Sequence, residues 1–187
     1  MKRTIAAILI ATAVSFAADA QQKRMAVADL STIYMRQQPD YESALETQEL
    51  MGTVVEIVSE KGYWREIVSP QPYRAWATEK GLVEMTAEEL AAYEAAQKVM
   101  FTGLYGHVYT SPSADSQTLC DLVGGDLMRL KSPDSSLRKG RLKGRWTEVI
   151  LPSGKKGFVP SGQLKPHNGF ISIAQGEGSA ESVDAET

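Results

Sequence analysis

The sequence predicts an all-β fold, two small barrels joined by one short α-helix, and three observations predict it. A seven-residue phrase occurs twice: Gly62-Tyr63-Trp64-Arg65-Glu66-Ile67-Val68 returns as Gly144-Arg145-Trp146-Thr147-Glu148-Val149-Ile150. Glycine, tryptophan, glutamate and two β-branched residues keep their places, the pattern of a half-buried strand entered from a turn. The phrase lies inside a longer repeat, which outranks any local reading of the chain. Between the two copies sits one segment with helical spacing and its own N-terminal cap.

The repeat has a constant register. Pro39 lies over Pro112, Ser43 over Ser116, Leu50 over Val123 and Gly52 over Gly125, an offset of 125 − 52 = 73. From the tryptophans onward the offset is 146 − 64 = 82, and Trp76 meets Phe158, Ala77 meets Val159 and Leu82 meets Leu164. The copies therefore differ by one insertion of 82 − 73 = 9 residues around Ser132 to Gly140. Its serine, proline and glycine content marks a loop.

The elements follow in chain order. Residues 1–20 read as a signal peptide: Lys2 and Arg3, the apolar run from Ile5 to Ala18, then Ala18-Asp19-Ala20 as a cleavage site. About 14 apolar residues are too few to cross roughly 30 Å of hydrocarbon. The sequence thus predicts export to the periplasm or beyond, with no membrane span after cleavage. The first module, 25–85, divides into strands near Ser31–Gln37, Glu46–Leu50, Thr53–Glu60, Tyr63–Ser69 and Arg74–Thr78. A linker helix is predicted over 86–98. Thr86-Ala87-Glu88-Glu89 forms a capping box, alanines, Leu90 and Tyr93 follow at helical spacing, and Lys98 suits the negative end of the dipole. A helix this short is marginal alone, so it is expected to dock between the modules. The second module spans 100–168. The tail is 169–187, and its last stretch, Gly176 to Thr187, is glycine, serine, alanine and acid with a single valine, too polar to fold by itself.

The order of residues resembles a known family. Arg36, Pro39, Ser43, Gly52, Gly62, Trp64, Val68, Trp76 and Leu82 in the first copy match the pattern of the bacterial SH3 domain, SH3b. Pro112, Ser116, Gly125, Gly144, Trp146, Ile150, Gly157, Phe158, Val159 and Leu164 match it in the second. The copies depart from the pattern at Tyr109, which replaces an arginine, and at Ala75, which replaces a glycine. The resemblance implies two SH3-like barrels. The succession of leader, module, alanine-rich helix after Lys80-Gly81-Leu82-Val83-Glu84-Met85-Thr86, and second module is similar to the N-terminal half of two-SH3b NlpC/P60 endopeptidases. Those enzymes cleave γ-D-glutamyl-L-diamino acid bonds in cell-wall peptides. Their cysteine peptidase domain would follow and is not in these residues, so the resemblance implies the non-catalytic, targeting half and no enzyme in this chain as it stands.

Charge and composition narrow the partners. Residues 25–99 carry 13 acidic and 6 basic side chains, residues 100–168 carry 5 acidic and 10 basic, and the net charge of the chain is −3. An exported acidic protein is not expected to bind nucleic acid. Arg138, Lys139, Arg141, Lys143 and Arg145 cluster at the end of the insertion and just after it. They read either as a solvated hairpin facing the acidic first module or as a contact for an anionic polymer such as peptidoglycan carboxylates or lipopolysaccharide phosphates. Cys120 is the only cysteine and reads as a small apolar strand residue; a thiolate nucleophile would need a base, and nothing beside it resembles a nucleophile motif. His107 has no cluster of other ligand side chains near it in sequence. No cofactor and no metal are expected.

A ligand built of sugar rings and peptide stems is held by flat side chains with polar tips. Tyr34, Tyr41, Tyr63, Tyr73 and Trp76 are the candidates, with Arg74 available for a carboxylate. Trp64 and Trp146 are expected to face the cores. Two functions stay open: a non-catalytic module binding peptidoglycan or muropeptide fragments, and an interaction subunit that docks on a separate cell-wall peptidase or envelope protein.

Overall fold

The computed structural model describes residues 23–132, 142 and 144–167. The leader, the tail and the basic residues Arg138, Lys139, Arg141 and Lys143 lie outside the described residues.

The sequence repeat is a repeat of topology. The first half forms β1 (Arg24–Ala28), β2 (Thr32–Arg36), β3 (Leu45–Leu50), β4 (Val54–Lys61), β5 (Trp64–Val68), β6 (Arg74–Thr78) and β7 (Leu82–Met85). The second forms β8 (Lys98–Phe101), β9 (Tyr105–Tyr109), β10 (Thr118–Val123), β11 (Leu127–Leu130), β12 (Trp146–Ile150), β13 (Lys156–Pro160) and β14 (Leu164–Pro166). Each half is a seven-stranded antiparallel sheet, ordered β3-β2-β6-β5-β4-β1-β7 and β10-β9-β13-β12-β11-β8-β14. Position for position the two orders are the same, and the all-β class holds. The nine-residue insertion falls between β11 and β12, where the first half turns directly at Gly62 from β4 into β5. Each half has two strands more than the sequence suggests. β1 and β7 pair with each other, and β1 also with β4. In β1 three consecutive residues, Ala26, Val27 and Ala28, are all buried, which erases the two-residue alternation that signals a strand.

Alternation elsewhere assigns the faces. The inner face of the first sheet presents Ile33, Met35, Val55, Ile57, Ile67, Ala75 and Ala77. That of the second presents Val99, Phe101, Val108, Leu122, Met128, Val149 and Val159. The cores conserve volume through paired exchanges. Phe101 stands where the first half has Ala28, and Gly106 where it has Ile33; a Cβ on Gly106 would stand 2.6 Å from the Phe101 ring. The larger ring occupies the space vacated by the missing side chain.

One residue crosses between the halves. Met51, in the turn between β3 and β4, is fully buried within the core of the second sheet. Its amide donates to Asp126 Oδ1 at 3.2 Å and its carbonyl accepts from the Leu127 amide at 2.9 Å. Gly52 and Gly125 make this approach feasible. Both have positive φ, +90° and +105°, and a Cβ on either would stand 2.6 Å from Leu127 Cβ or Leu50 Cδ1 respectively.

The linker helix, α1 (Ala87–Ala95), begins as the sequence predicts. Glu89 N donates to Thr86 Oγ1 at 3.2 Å and Thr86 N donates to Glu89 Oε2 at 2.8 Å. Those bonds hold the Glu89 carboxyl below its ordinary range. The helix ends before 98 because the chain is recruited into the second sheet: the Gln97 carbonyl accepts from Leu130 N at 2.9 Å, and Lys98 opens β8. Lys98 still serves the negative end of the helix, donating from Nζ to the Glu94 carbonyl at 3.0 Å. Tyr93 docks α1. It is buried, donates to the Gly52 carbonyl at 3.2 Å, and lies under Lys98 Nζ at 4.7 Å and Arg129 at 5.6 Å. Burial pushes its phenol up to about 12.

Candidate ligand cleft

The outer face of the first sheet carries an aromatic cleft of about 230 Å³. Its floor is Trp64. Cross-strand register sets this orientation: Trp64 lies opposite Thr78 and Glu66 opposite Trp76 on one face, while Ile67 lies opposite Ala75 on the other. Trp64 is 5% exposed, yet it does not belong to the core cluster. It is buried as expected of a core residue, but apart from the inner-face cluster. Tyr41 and Tyr63 bury it from outside, with ring centroids 4.9 and 5.5 Å away, and they stack on each other at 6.0 Å.

The loop bearing Tyr41 is braced by two residues of the repeat pattern. Ser43 Oγ accepts from the Gln38 amide at 3.0 Å, and Arg36 Nη1 donates to the Ser43 carbonyl at 2.6 Å. Ser116 makes the equivalent brace in the second half, accepting from Ser111 N at 3.3 Å. Tyr34, 56% exposed, and Arg36 on β2 form the opposite wall. Among the described residues no carboxylate lies within ion-pair distance of Arg36. Arg36 lines a cleft that contains no acidic side chain. Such a site offers ring faces, phenol tips and one fork of N–H donors, a combination suited to a ligand with flat apolar faces and a carboxylate.

Of the residues singled out from sequence, the fold brings Tyr34, Tyr41 and Tyr63 together. Trp76 lies across the strand from Arg36 on the same face but outside the cleft lining. Tyr73 is exposed in the loop before β6. Arg74 is occupied: Nε and Nη2 donate to the two oxygens of Glu66 at 2.8 and 3.0 Å, which holds that carboxyl below its ordinary range. Arg145 is exposed, and its carbonyl accepts from Ser161 N at 2.9 Å. Leu30, Thr32, Ile33, Arg36, Trp64 and Thr78 are the cleft residues that sequence reasoning did not nominate. The odd spacing of Trp64 and Ile67, which puts them on opposite faces of one strand, is the signal that could have found the tryptophan.

The second half builds a different surface at the same positions. Ala114 and Arg145 stand where the first half has Tyr41 and Tyr63, so Trp146 lacks the two covering rings and is only half-buried. Tyr109 replaces Arg36 and packs edge-on against Trp146 at 5.5 Å. Cys120 lies on β10 opposite Val108. Burial, with Asp29, Asp126 and Asp121 nearby, pushes its thiol up to about 12, so at neutral pH it carries its proton.

No protein-family model matches the chain, and no curated protein matches it. Among solved structures it is similar to an NlpC/P60 family protein from Bacillus cereus, with a TM-score of 0.58 and 20% identity over 75% of this chain. The match covers 55% of the Bacillus protein, so the chain spans about half of its length. A second similar structure is an NlpC/P60 endopeptidase from Photobacterium damselae subsp. piscicida, at a TM-score of 0.49 and 10% identity, covering 76% of this chain and 33% of that one. At 20% identity the likeness to the Bacillus protein is one of fold.

Proposed function

We propose that the chain is an exported, non-catalytic binding protein whose two SH3b modules recognise peptidoglycan or its muropeptide fragments, with the cleft of the first module as the contact. The observation that carries this reading is the cleft itself: Tyr34 and Tyr41 line it with the buried Trp64, Tyr63 stacks on Tyr41 and Trp64 beside it, and Arg36 has no carboxylate partner among the described residues. Sugar faces and peptide stems would lie on the rings while Arg36 takes a stem carboxylate. The fold likeness to an NlpC/P60 family protein supports a place among cell-wall peptidases and their accessory parts. The protonated state of Cys120 supports binding rather than catalysis by these modules.

The test is retention of the mature protein on purified sacculi. Enrichment over a denatured control is expected, and Tyr41→Ala or Tyr34→Ala should each weaken it roughly 2- to 10-fold, the range of one aromatic contact. Equal retention of native and denatured protein would overturn the reading and leave the interaction-subunit alternative. Salt should weaken any part of the retention that rests on the basic insertion.

A further inference from the structure

The outer faces of the two sheets occupy the same topological place, and at one set of aligned positions they carry different charged groups. In the first, Tyr34 pairs across β2 and β3 with Gln48, and Arg36 supplies the cation. In the second, His107 pairs across β9 and β10 with Asp121, and Tyr109 has removed the cation. We propose that the face formed by β9 and β10 is a second binding site, selective for a protonated primary amine held by the Asp121 carboxylate against the rings of Tyr105 and His107.

The carboxylate is positioned as a receptor. Its Oδ1 accepts from Tyr105 Oη at 3.0 Å and faces His107 Nδ1 at 3.0 Å, which fixes the group without engaging Oδ2. Among the described residues no lysine or arginine lies within ion-pair distance of it. The side chain of Asp121 is 59% exposed. The aromatic rings form a ladder along the face. Tyr105 meets His107 edge-on at 5.0 Å, His107 meets Tyr109 at 5.9 Å, and Tyr109 meets Trp146. Tyr105 is 61% exposed and the neighbouring Leu104 is 96% exposed, so ring and apolar surface stand open beside the charge. An ammonium group is the ligand that uses both features, through a charged hydrogen bond to Oδ2 and attraction to the ring faces. An anion would be repelled, and a neutral amide would gain only the hydrogen bond. This inference stands apart from the cleft of the first module and does not need it.

The experiment is a titration of the full chain followed by backbone amide chemical shifts. The probes are Nα-acetyl-lysine methylamide, which carries a side-chain amine, and alanine amide, which carries an α-amine. Nα,Nε-diacetyl-lysine methylamide is the neutral isostere. Saturable shifts at Leu104 to His107 and at Asp121 are expected with at least one amine, and the arm that binds identifies the source of the amine. The isostere should bind about tenfold more weakly, the worth of one charged hydrogen bond. Asp121→Asn should lose a similar factor while amides of the first sheet keep their positions. Should that variant not fold, Tyr105→Phe, which keeps the ring and removes one of the two donors facing Oδ1, should keep binding the amine at least as well as the parent, and together with the isostere comparison it decides the matter. Equal shifts from amine and isostere, no response to either amine, or unchanged binding in folded Asp121→Asn would overturn the proposal.

Discussion

Replacing Met51 with alanine tests the way the two halves are joined. The residue belongs to the first half by sequence and to the second by packing: its side chain is fully buried among Val99, Phe101, Leu122, Met128 and Val149. Truncating a buried methionine removes its transfer free energy and leaves a cavity, at about 2–5 kcal/mol. Against a whole-domain stability of roughly 5–15 kcal/mol, that is a large fraction. No residue of the second half can compensate, because the equivalent position there is Gly124 and no plug is returned. Amide hydrogen exchange of the full chain is the direct assay. Met51→Ala should accelerate exchange of Val149, Val159 and Leu122, although the substitution lies more than 70 residues away in sequence from each of them (122 − 51 = 71). Met51→Leu, which nearly conserves volume, should cost less than about 1.5 kcal/mol and leave that exchange near its original rate. Exchange confined to β3 and β4, or a loss below about 1 kcal/mol in urea unfolding, would refute the idea that the second core is completed by the first module.

Three further substitutions probe the same junction. Thr86→Ala removes one side of the capping box and should lower stability by about 0.5–2 kcal/mol, read by urea unfolding. Gly52→Ala forces a left-handed conformation on a side chain that would stand 2.6 Å from Leu127 Cβ; strain alone costs about 1–3 kcal/mol, and a melting temperature unchanged from the parent would contradict the interlock. Asp126 gives the junction a pH dependence. Burial pushes its carboxyl from the ordinary 3.8 up to about 7, so the folded state holds its proton more tightly than the unfolded chain. That contribution is greatest below the unfolded value and is lost as pH rises through about 7. The stability difference between the parent and Asp126→Asn should therefore shift against the parent from about pH 4 to about pH 7 and be flat above pH 8, as measured by urea unfolding at each pH.

Much of this architecture is legible in the sequence because its signals are local. The turn glycines, the alternating strands, the capping box at Thr86 and the step in offset at the insertion each arise from a few neighbouring residues. What is not legible depends on residues far apart in the chain. Trp64 looks like a core residue because it is large, apolar and opens a strand that ends in two β-branched residues. Its actual cover comes from Tyr41, which reaches it only because Arg36 and Ser43 hold the intervening loop. Met51 precedes a turn glycine and reads as an ordinary turn residue until the second sheet is docked on it. Arg74 was the natural candidate for a carboxylate on composition alone, and only the register of β5 against β6 shows that Glu66 already occupies it.

The two halves also show where a duplicated barrel is free to diverge. Inside, one exchange preserves volume by pairing: Phe101 and Gly106 stand where the first half has Ala28 and Ile33, and the ring takes the space of the branched side chain. Outside, no such constraint holds, because water fills whatever a side chain vacates. Exchanging Tyr41 for Ala114 and Tyr63 for Arg145 uncovers a tryptophan, and exchanging Arg36 for Tyr109 and Gln48 for Asp121 replaces a cation by a ring and an amide by a carboxylate, without altering one strand of the order. The strand order is identical in both sheets, so any difference in what they bind must come from these outer positions. A module pair of this kind can present an arginine-bearing cleft and a carboxylate-bearing face on one rigidly interlocked body.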